Sequence, residues 1–268
     1  SASASRRMAI VTSGATAMAQ LAERLGQRAS APPPPARLAA GTSFLGREAD
    51  LDTLADRLRD PDCRLVTLHG MGGVGKTRLA LALAERMEDA FGDGTFVVAL
   101  DEVASASRFA QAVASACGLQ PAGAARPQDL LAAYFRRRQA LVVLDNLEHL
   151  IAHGEDPSIA AQVAELLAGT GSRFKLLATS REPLGLQEEW VHEVRGLDYP
   201  HDGAADARES AAVRLFVQRA RQVHAGFSLP AHGEEVARIC ATVEGLPLGI
   251  ELAAGWMGSV TPARARDG

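Results

Sequence analysis

One octapeptide restricts this chain more than any other stretch: Gly70-Met71-Gly72-Gly73-Val74-Gly75-Lys76-Thr77. It has the form Gly-x-x-x-x-Gly-Lys-Thr. Before it runs Arg64-Leu65-Val66-Thr67-Leu68-His69, which reads as a buried strand. After it, Lys76 to Phe91 reads as a helix with Leu79, Leu83 and Met87 on one face. In that setting each residue has a physical task. Gly70, Gly72, Gly73 and Gly75 let the backbone bend and approach phosphate oxygens with no Cβ in the way. Backbone N–H groups from about Gly73 to Thr77, Val74 among them, converge as an anion nest. The helix beginning there adds its positive dipole end. Lys76 can reach the β and γ phosphates, and the Thr77 hydroxyl can take one position on Mg²⁺. Arg78 follows on the first helical turn and is placed with the nucleotide-binding residues. The octapeptide thus predicts a domain that binds a nucleoside triphosphate with Mg²⁺.

Strands and helices alternate beyond the loop. Thr95 to Leu100, Leu141 to Asp145, Arg173 to Ala178 and Trp190 to Val194 read as further strands. Phe109 to Cys117, Leu130 to Arg137 and Ile159 to Leu167 read as the helices between them. Apolar residues make up 47% of the chain but aromatics only 4%, so the core is built from Ala, Leu and Val. That composition suits helices packed on both faces of a parallel sheet. The expected fold class is α/β, a three-layer α/β/α domain with a mostly parallel five-stranded sheet over residues 42–200. Ala211 to Val223, Glu234 to Val243 and Leu246 to Met257 read as a small helical bundle over 207–262. Residues 1–41 read as one amphipathic helix, with Met18, Leu21, Ala22 and Leu25 on a face, then a spacer around Pro32-Pro33-Pro34-Pro35.

Three side chains join the loop as candidates for the chemistry. Asp145 ends an apolar strand, where open α/β sheets bind ligands, so it can hold Mg²⁺ or cap a following helix. Glu148 lies three residues on, and is either the base that activates water or a first-turn helix carboxylate. Many ATPases carry an acid directly after the strand-ending Asp; here Asn146 stands there, and slow hydrolysis is expected. Arg181 follows the fourth strand and either touches the γ phosphate or is a surface arginine. His149 and His153 share a helical face without further ligands for a metal. Arg136-Arg137-Arg138 reads as a helix C-terminus facing water, and Trp190 and Trp256 as packing residues.

Some classes are disfavoured. The net charge of −4 does not suit a protein that coats nucleic acid. Cys63, Cys117 and Cys240 have neither disulfide nor zinc spacing, which fits a cytoplasmic location. No apolar run reaches a membrane-spanning length, and Arg6-Arg7 lacks the long apolar stretch of an export signal. No membrane partner is expected.

The motifs together resemble the NB-ARC, or AP-ATPase, branch of the STAND signal-transduction ATPases, which includes plant resistance proteins, the animal apoptosome scaffold and many bacterial regulators. The resemblance spans roughly residues 42–262 and rests on Phe44-Leu45-Gly46-Arg47-Glu48, the octapeptide, Leu141 to Asn146, Leu177-Ala178-Thr179-Ser180-Arg181 and Gly245-Leu246-Pro247-Leu248. It implies that Phe44, Leu45, Gly46 and Arg47 hold the adenine side of ATP or ADP, with Pro247 and the adjoining Leu248 leaning over the base. It implies a switch that rests with ADP, exchanges it for ATP and then self-associates. Bacterial relatives with Leu144 to His149 and Thr179 to Leu184 in this form are often transcriptional regulators. The family's winged-helix region and its Met-His-Asp motif are absent, so the chain is read as part of a longer protein. An upstream effector and a downstream sensor are expected in cis. Two other readings remain open: a metabolic P-loop kinase or ATPase, and a DNA-binding transcriptional regulator acting through regions outside this stretch. Nucleic acid is not expected as a partner of the stretch itself.

Overall fold

The computed structural model describes residues 44–120, 125–151, 158–200 and 209–256. The expected amphipathic helix and proline spacer of residues 1–41 lie outside the described residues, as does His153.

Five strands form one sheet: β1 (Leu65–His69), β2 (Thr95–Ala99), β3 (Leu141–Asp145), β4 (Lys175–Ser180) and β5 (Glu189–Glu193), in the order β2-β3-β4-β1-β5. Every pairing is parallel, with Leu65 opposite both Leu176 and Glu189, and Leu141 opposite both Thr95 and Lys175. Strand side chains alternate between two faces. Val142 and Leu144 join Phe109, Val113, Leu131, Phe135 and Val163 in one apolar layer. Leu141 and Val143 join Leu54, Leu58, Leu79 and Leu83 in the other. Helices α3 (Phe109–Ala116), α4 (Pro127–Phe135) and α6 (Ile159–Gly169) supply the first layer, and α1 (Glu48–Arg59) and α2 (Lys76–Arg86) the second. Between β3 and α6 lies the short α5 (Glu148–Ile151). The three-layer α/β/α fold stands as expected, with a sheet that is parallel throughout.

Helix α1 was not expected, although Leu51, Leu54, Ala55 and Leu58 have helical spacing. Glu48 and Asp50 in its first turn and Arg57 and Arg59 in its last match the helix dipole. Helix α2 stops at Arg86, short of the expected Phe91, and a 3₁₀ turn over Glu88–Ala90 follows. Helix α4 begins earlier than expected, at Pro127, whose missing N–H costs nothing in a first turn. Strand β4 runs two residues further than expected, so Thr179 and Ser180 pair with Leu68 and His69 instead of starting a loop. In the expected basic run, Arg138 lies 4.0 Å over the Tyr134 ring. Trp190 packs against the α1 and α2 layer, whereas Trp256 is 72% exposed and is no packing residue among the described contacts.

At the opposite end of the sheet from the glycine loop, Lys175 is buried, and its ammonium donates to the Asp60 and Cys63 carbonyls at 2.6 and 2.5 Å. Burial holds its pKa below the usual lysine value.

Helices α7 (Ala211–Val223), α8 (Leu229–Thr242) and α9 (Pro247–Trp256) enclose a third apolar cluster with Phe216, Val236, Cys240 and Ile250 at its centre. Helix α8 starts five residues before the expected Glu234, with Pro230 in its first turn. The bundle is tied to the exit of β5, where the Leu197 N–H donates to the Gly245 carbonyl at 2.8 Å.

Candidate functional site

The octapeptide turns from β1 into α2 at the C-terminal edge of the sheet. Gly73 has φ +79°, and a Cβ there would come within 2.9 Å of the Leu248 Cβ. A side chain at that position would meet both backbone strain and the helical bundle. Lys76 is 8% exposed, and its ammonium donates to the Gly70 and Met71 carbonyls at 2.8 and 3.2 Å. Burial first pulls its pKa below the usual lysine value. The Glu148 and Asp145 carboxylates pull it upward, against Arg181.

Asp145 Oδ1 accepts from two hydroxyls, Thr77 Oγ1 at 2.7 Å and Thr179 Oγ1 at 2.5 Å. Thr179 in turn accepts from the Asn146 N–H at 3.0 Å, and its carbonyl accepts from the Leu147 N–H at 2.9 Å. The chain leaves β3 through Asn146 at φ +62°, a conformation Asn tolerates better than most residues. That turn aims Glu148 back at the loop. Glu148 Oε1 lies 3.4 Å from Arg181 Nε, while its Oε2 is buried with no hydrogen-bond partner. The Arg181 guanidinium also lies near Gly72, 3.6 Å from where a Cβ would sit. Lys76, Thr77, Asp145, Glu148 and Arg181 therefore converge on one edge of the loop. Thr77 and Asp145 present two adjacent hard oxygens of the kind Mg²⁺ takes, and the orphaned Glu148 Oε2 is a buried acceptor on the same segment that leaves β3.

On the other side of the loop, Phe44, Leu45, Arg47, Val74, Gly75, Arg78 and Pro247 line one small cavity together with Leu197 and Leu215. Its volume of about 30 Å³ is room for a water or two, so a purine would have to part its walls. Gly46 faces Ala211 of α7 instead of the cavity. Arg47 is 8% exposed, and its guanidinium is already engaged by the Val74 and Arg195 carbonyls and by Asp50. Leu248 lies outside the cavity, half exposed, yet its backbone N–H donates to the Gly73 carbonyl at 3.3 Å. Arg78 and Glu251 form an ion pair at 3.3 Å, so α9 touches the loop and α2 directly.

Sequence reasoning assigned no role to Thr179, although it stands inside the quoted strand motif, nor to Leu197 and Leu215, which carry no signal beyond being apolar.

A glycine loop after β1, a carboxylate ending the separated strand β3, and β4 inserted between them define a P-loop ATPase fold. Residues 43–226 match the family described as the AAA ATPase domain, and the chain belongs to that family. Proteins of this family bind nucleotide with Mg²⁺. Among curated proteins, it is 38% identical over 206 residues to a Mycobacterium tuberculosis protein provisionally named an HTH-type transcriptional regulator, a match covering 76% of this chain and 21% of that one. It is 34% identical over 171 residues to the regulatory protein AfsR of Streptomyces coelicolor, covering 58% of this chain and 16% of that one. The chain thus spans about a fifth of the length of the mycobacterial regulator. Among solved structures, it is similar in fold to a STAND protein with a tetratricopeptide repeat sensor from Pyrococcus horikoshii, with a TM-score of 0.50 and 16% identity. That likeness covers 87% of this chain and 32% of the other. Among the described residues no helix is long and apolar enough to cross a membrane.

Proposed function

We propose that this chain is the nucleotide-binding core of a signalling switch of the NB-ARC, or AP-ATPase, type within the STAND ATPases. It binds ATP or ADP with Mg²⁺ and hydrolyses ATP slowly. The observation that carries the reading is the direct contact of the helical bundle with the phosphate loop, through Leu248 N–H to Gly73 O and Arg78 to Glu251. A ligand in the loop then cannot be neutral to the position of the bundle. A switch requires that kind of difference in affinity between two arrangements.

In this reading residues 42–200 are the nucleotide-binding domain and 207–262 the helical domain. The loop amides and Lys76 hold the phosphates, Thr77 and Asp145 hold Mg²⁺, and the cavity beside Phe44, Leu45, Val74 and Pro247 takes the base. Mg²⁺ would neutralise phosphate charge there. Glu148, freed from Arg181, orients water, and Arg181 meets the γ phosphate. The Asn146 turn and the pairing of Glu148 with Arg181 support slow turnover, because the base is occupied by a counter-ion. Self-association, an upstream effector and a downstream sensor complete the proposal for the longer protein, in the cytoplasm. A role of that longer protein in transcription is favoured by the names of the mycobacterial and Streptomyces relatives.

The test is the nucleotide content of the purified protein, released by denaturation and identified by chromatography, with Lys76→Ala alongside. Bound ADP that is lost in Lys76→Ala is the expected result. Protein that carries no nucleotide and does not bind ADP or Mg-ATP on titration would sink the proposal.

A further inference from the structure

Arg47 ends a chain of charged contacts that starts on the far edge of the sheet. His192 of β5 meets Asp50 of α1 through Nε2 and Oδ1 at 3.0 Å. The other carboxylate oxygen, Oδ2, accepts from Arg47 Nη1 at 3.1 Å. Arg47 Nη2 then reaches two carbonyls, Val74 in the glycine loop at 3.1 Å and Arg195 at the exit of β5 at 2.5 Å. Two residues beyond Arg195 the chain reaches Leu197, which lines the cavity. One guanidinium therefore ties the loop to the opposite wall of the cavity. A guanidinium has a planar, fixed set of donors, so its aim depends on what grips its other edge. Among the described residues only Asp50 grips that edge, and His192 fixes the Asp50 rotamer by holding its second oxygen. The group is well enclosed: the side chains of Arg47, His192 and Asp50 are 9, 12 and 26% exposed. Arg57, also on α1, donates to the Val191 carbonyl beside His192 and holds α1 and β5 in register.

We propose that Asp50 and His192 are positioning residues that fix Arg47, and with it the purine side of the nucleotide pocket. This rests on the reading of the cavity beside Phe44 and Pro247 as the base site. Neither residue touches the phosphate loop or the triphosphate side. Their loss loosens the base wall first and reaches the phosphate cradle only indirectly, through the Arg47 contact with the Val74 carbonyl. The pair therefore sets how strongly the protein prefers a nucleotide over a bare polyphosphate.

The experiment is calorimetric titration of ADP and of inorganic tripolyphosphate into the full chain, as wild type, Asp50→Asn, Asp50→Glu, His192→Ala and the Asp50→Asn/His192→Ala double variant. Asp50→Asn is nearly isosteric and should fold, which a thermal melt checks. The expected result is about tenfold weaker ADP binding in Asp50→Asn, with tripolyphosphate unchanged within about twofold. Asp50→Glu, which keeps the charge, should recover part of the loss. The double variant should be no weaker than Asp50→Asn, because His192 acts through Asp50. Equal weakening of both ligands, or no change in either, overturns the positioning role. Wild-type protein that binds tripolyphosphate as tightly as ADP overturns the base-site reading itself, and the proposal falls with it.

Discussion

Replacing Thr179 by valine keeps the side-chain shape but removes one hydroxyl from the junction of β3 and β4. That hydroxyl is fully buried and has two partners: it accepts from the Asn146 N–H at 3.0 Å and donates to Asp145 Oδ1 at 2.5 Å. Valine supplies neither. A buried donor left without an acceptor costs about 1–3 kcal/mol, and a lost hydrogen bond to a charged group about 1.5–3 kcal/mol. Asp145 keeps the Thr77 hydroxyl, and the Asn146 amide is only partly buried, so both costs fall toward the lower ends of those ranges. The expected destabilisation is about 2.5–4 kcal/mol. Urea unfolding should show the midpoint shifted at an unchanged slope, since the surface exposed on unfolding is the same. Thr179→Ser keeps the hydroxyl and loses one methyl, for about 1 kcal/mol. If the valine variant stayed within about 0.5 kcal/mol of wild type, or serine cost as much as valine, the hydroxyl would not be holding this turn.

Gly245 has φ +68°, and a Cβ there would collide with the Leu197 carbonyl, so Gly245→Ala should cost about 3 kcal/mol or more. Gly185 has φ +73° with nothing near, so Gly185→Ala should cost only the backbone strain, about 1–2 kcal/mol; equal losses by urea titration would refute the collision. Asp50 is held below its ordinary value of 3.8, first by the hydrogen bond from His192 and also by Arg47. A lowered carboxyl pKa contributes stability that is present above the unfolded value and lost as pH falls through the folded one. The stability gap between wild type and Asp50→Asn should therefore be full above about pH 3.8 and close below it, and a gap indifferent to that window in acid titration would contradict the ion pair. Burial pushes the Cys63 thiol up to about 11 and those of Cys117 and Cys240 up to about 12. All three should resist thiol reagents at neutral pH in the folded protein and react in urea, and rapid labelling without denaturant would contradict their burial.

The glycine loop, the strand before it and the strand ending in Asp145 were legible because each is a local matter. Glycines where the backbone must bend, and runs of Leu and Val that bury a strand on both faces, act over a few residues. Near-continuous apolar strands separated by helices likewise signalled the sheet's parallel character. Helix α1 was missed although Leu51, Leu54, Ala55 and Leu58 carry helical spacing. The end of β4 was misjudged because Thr179 and Ser180 are polar, and only pairing with Leu68 and His69 keeps them in the strand.

What tertiary structure alone decided was adjacency. The insertion of β4 between β1 and β3 sets the Thr179 hydroxyl beside Asp145, at a sequence separation of 34 residues. The burial of Arg47 depends on the Arg195 carbonyl, 148 residues away, and the Arg78 to Glu251 pair on one 173 residues away. A single chain records its local preferences in its residue types. It does not record which distant carbonyl will face a guanidinium, because that follows from how the helices stack on a twisted sheet. Local residue types are enough to specify the phosphate loop and the strands that carry it. The closing of the cavity by Leu197, Leu215 and Pro247 was settled only when the helical bundle packed against the loop, burying apolar surface that neither part could bury alone.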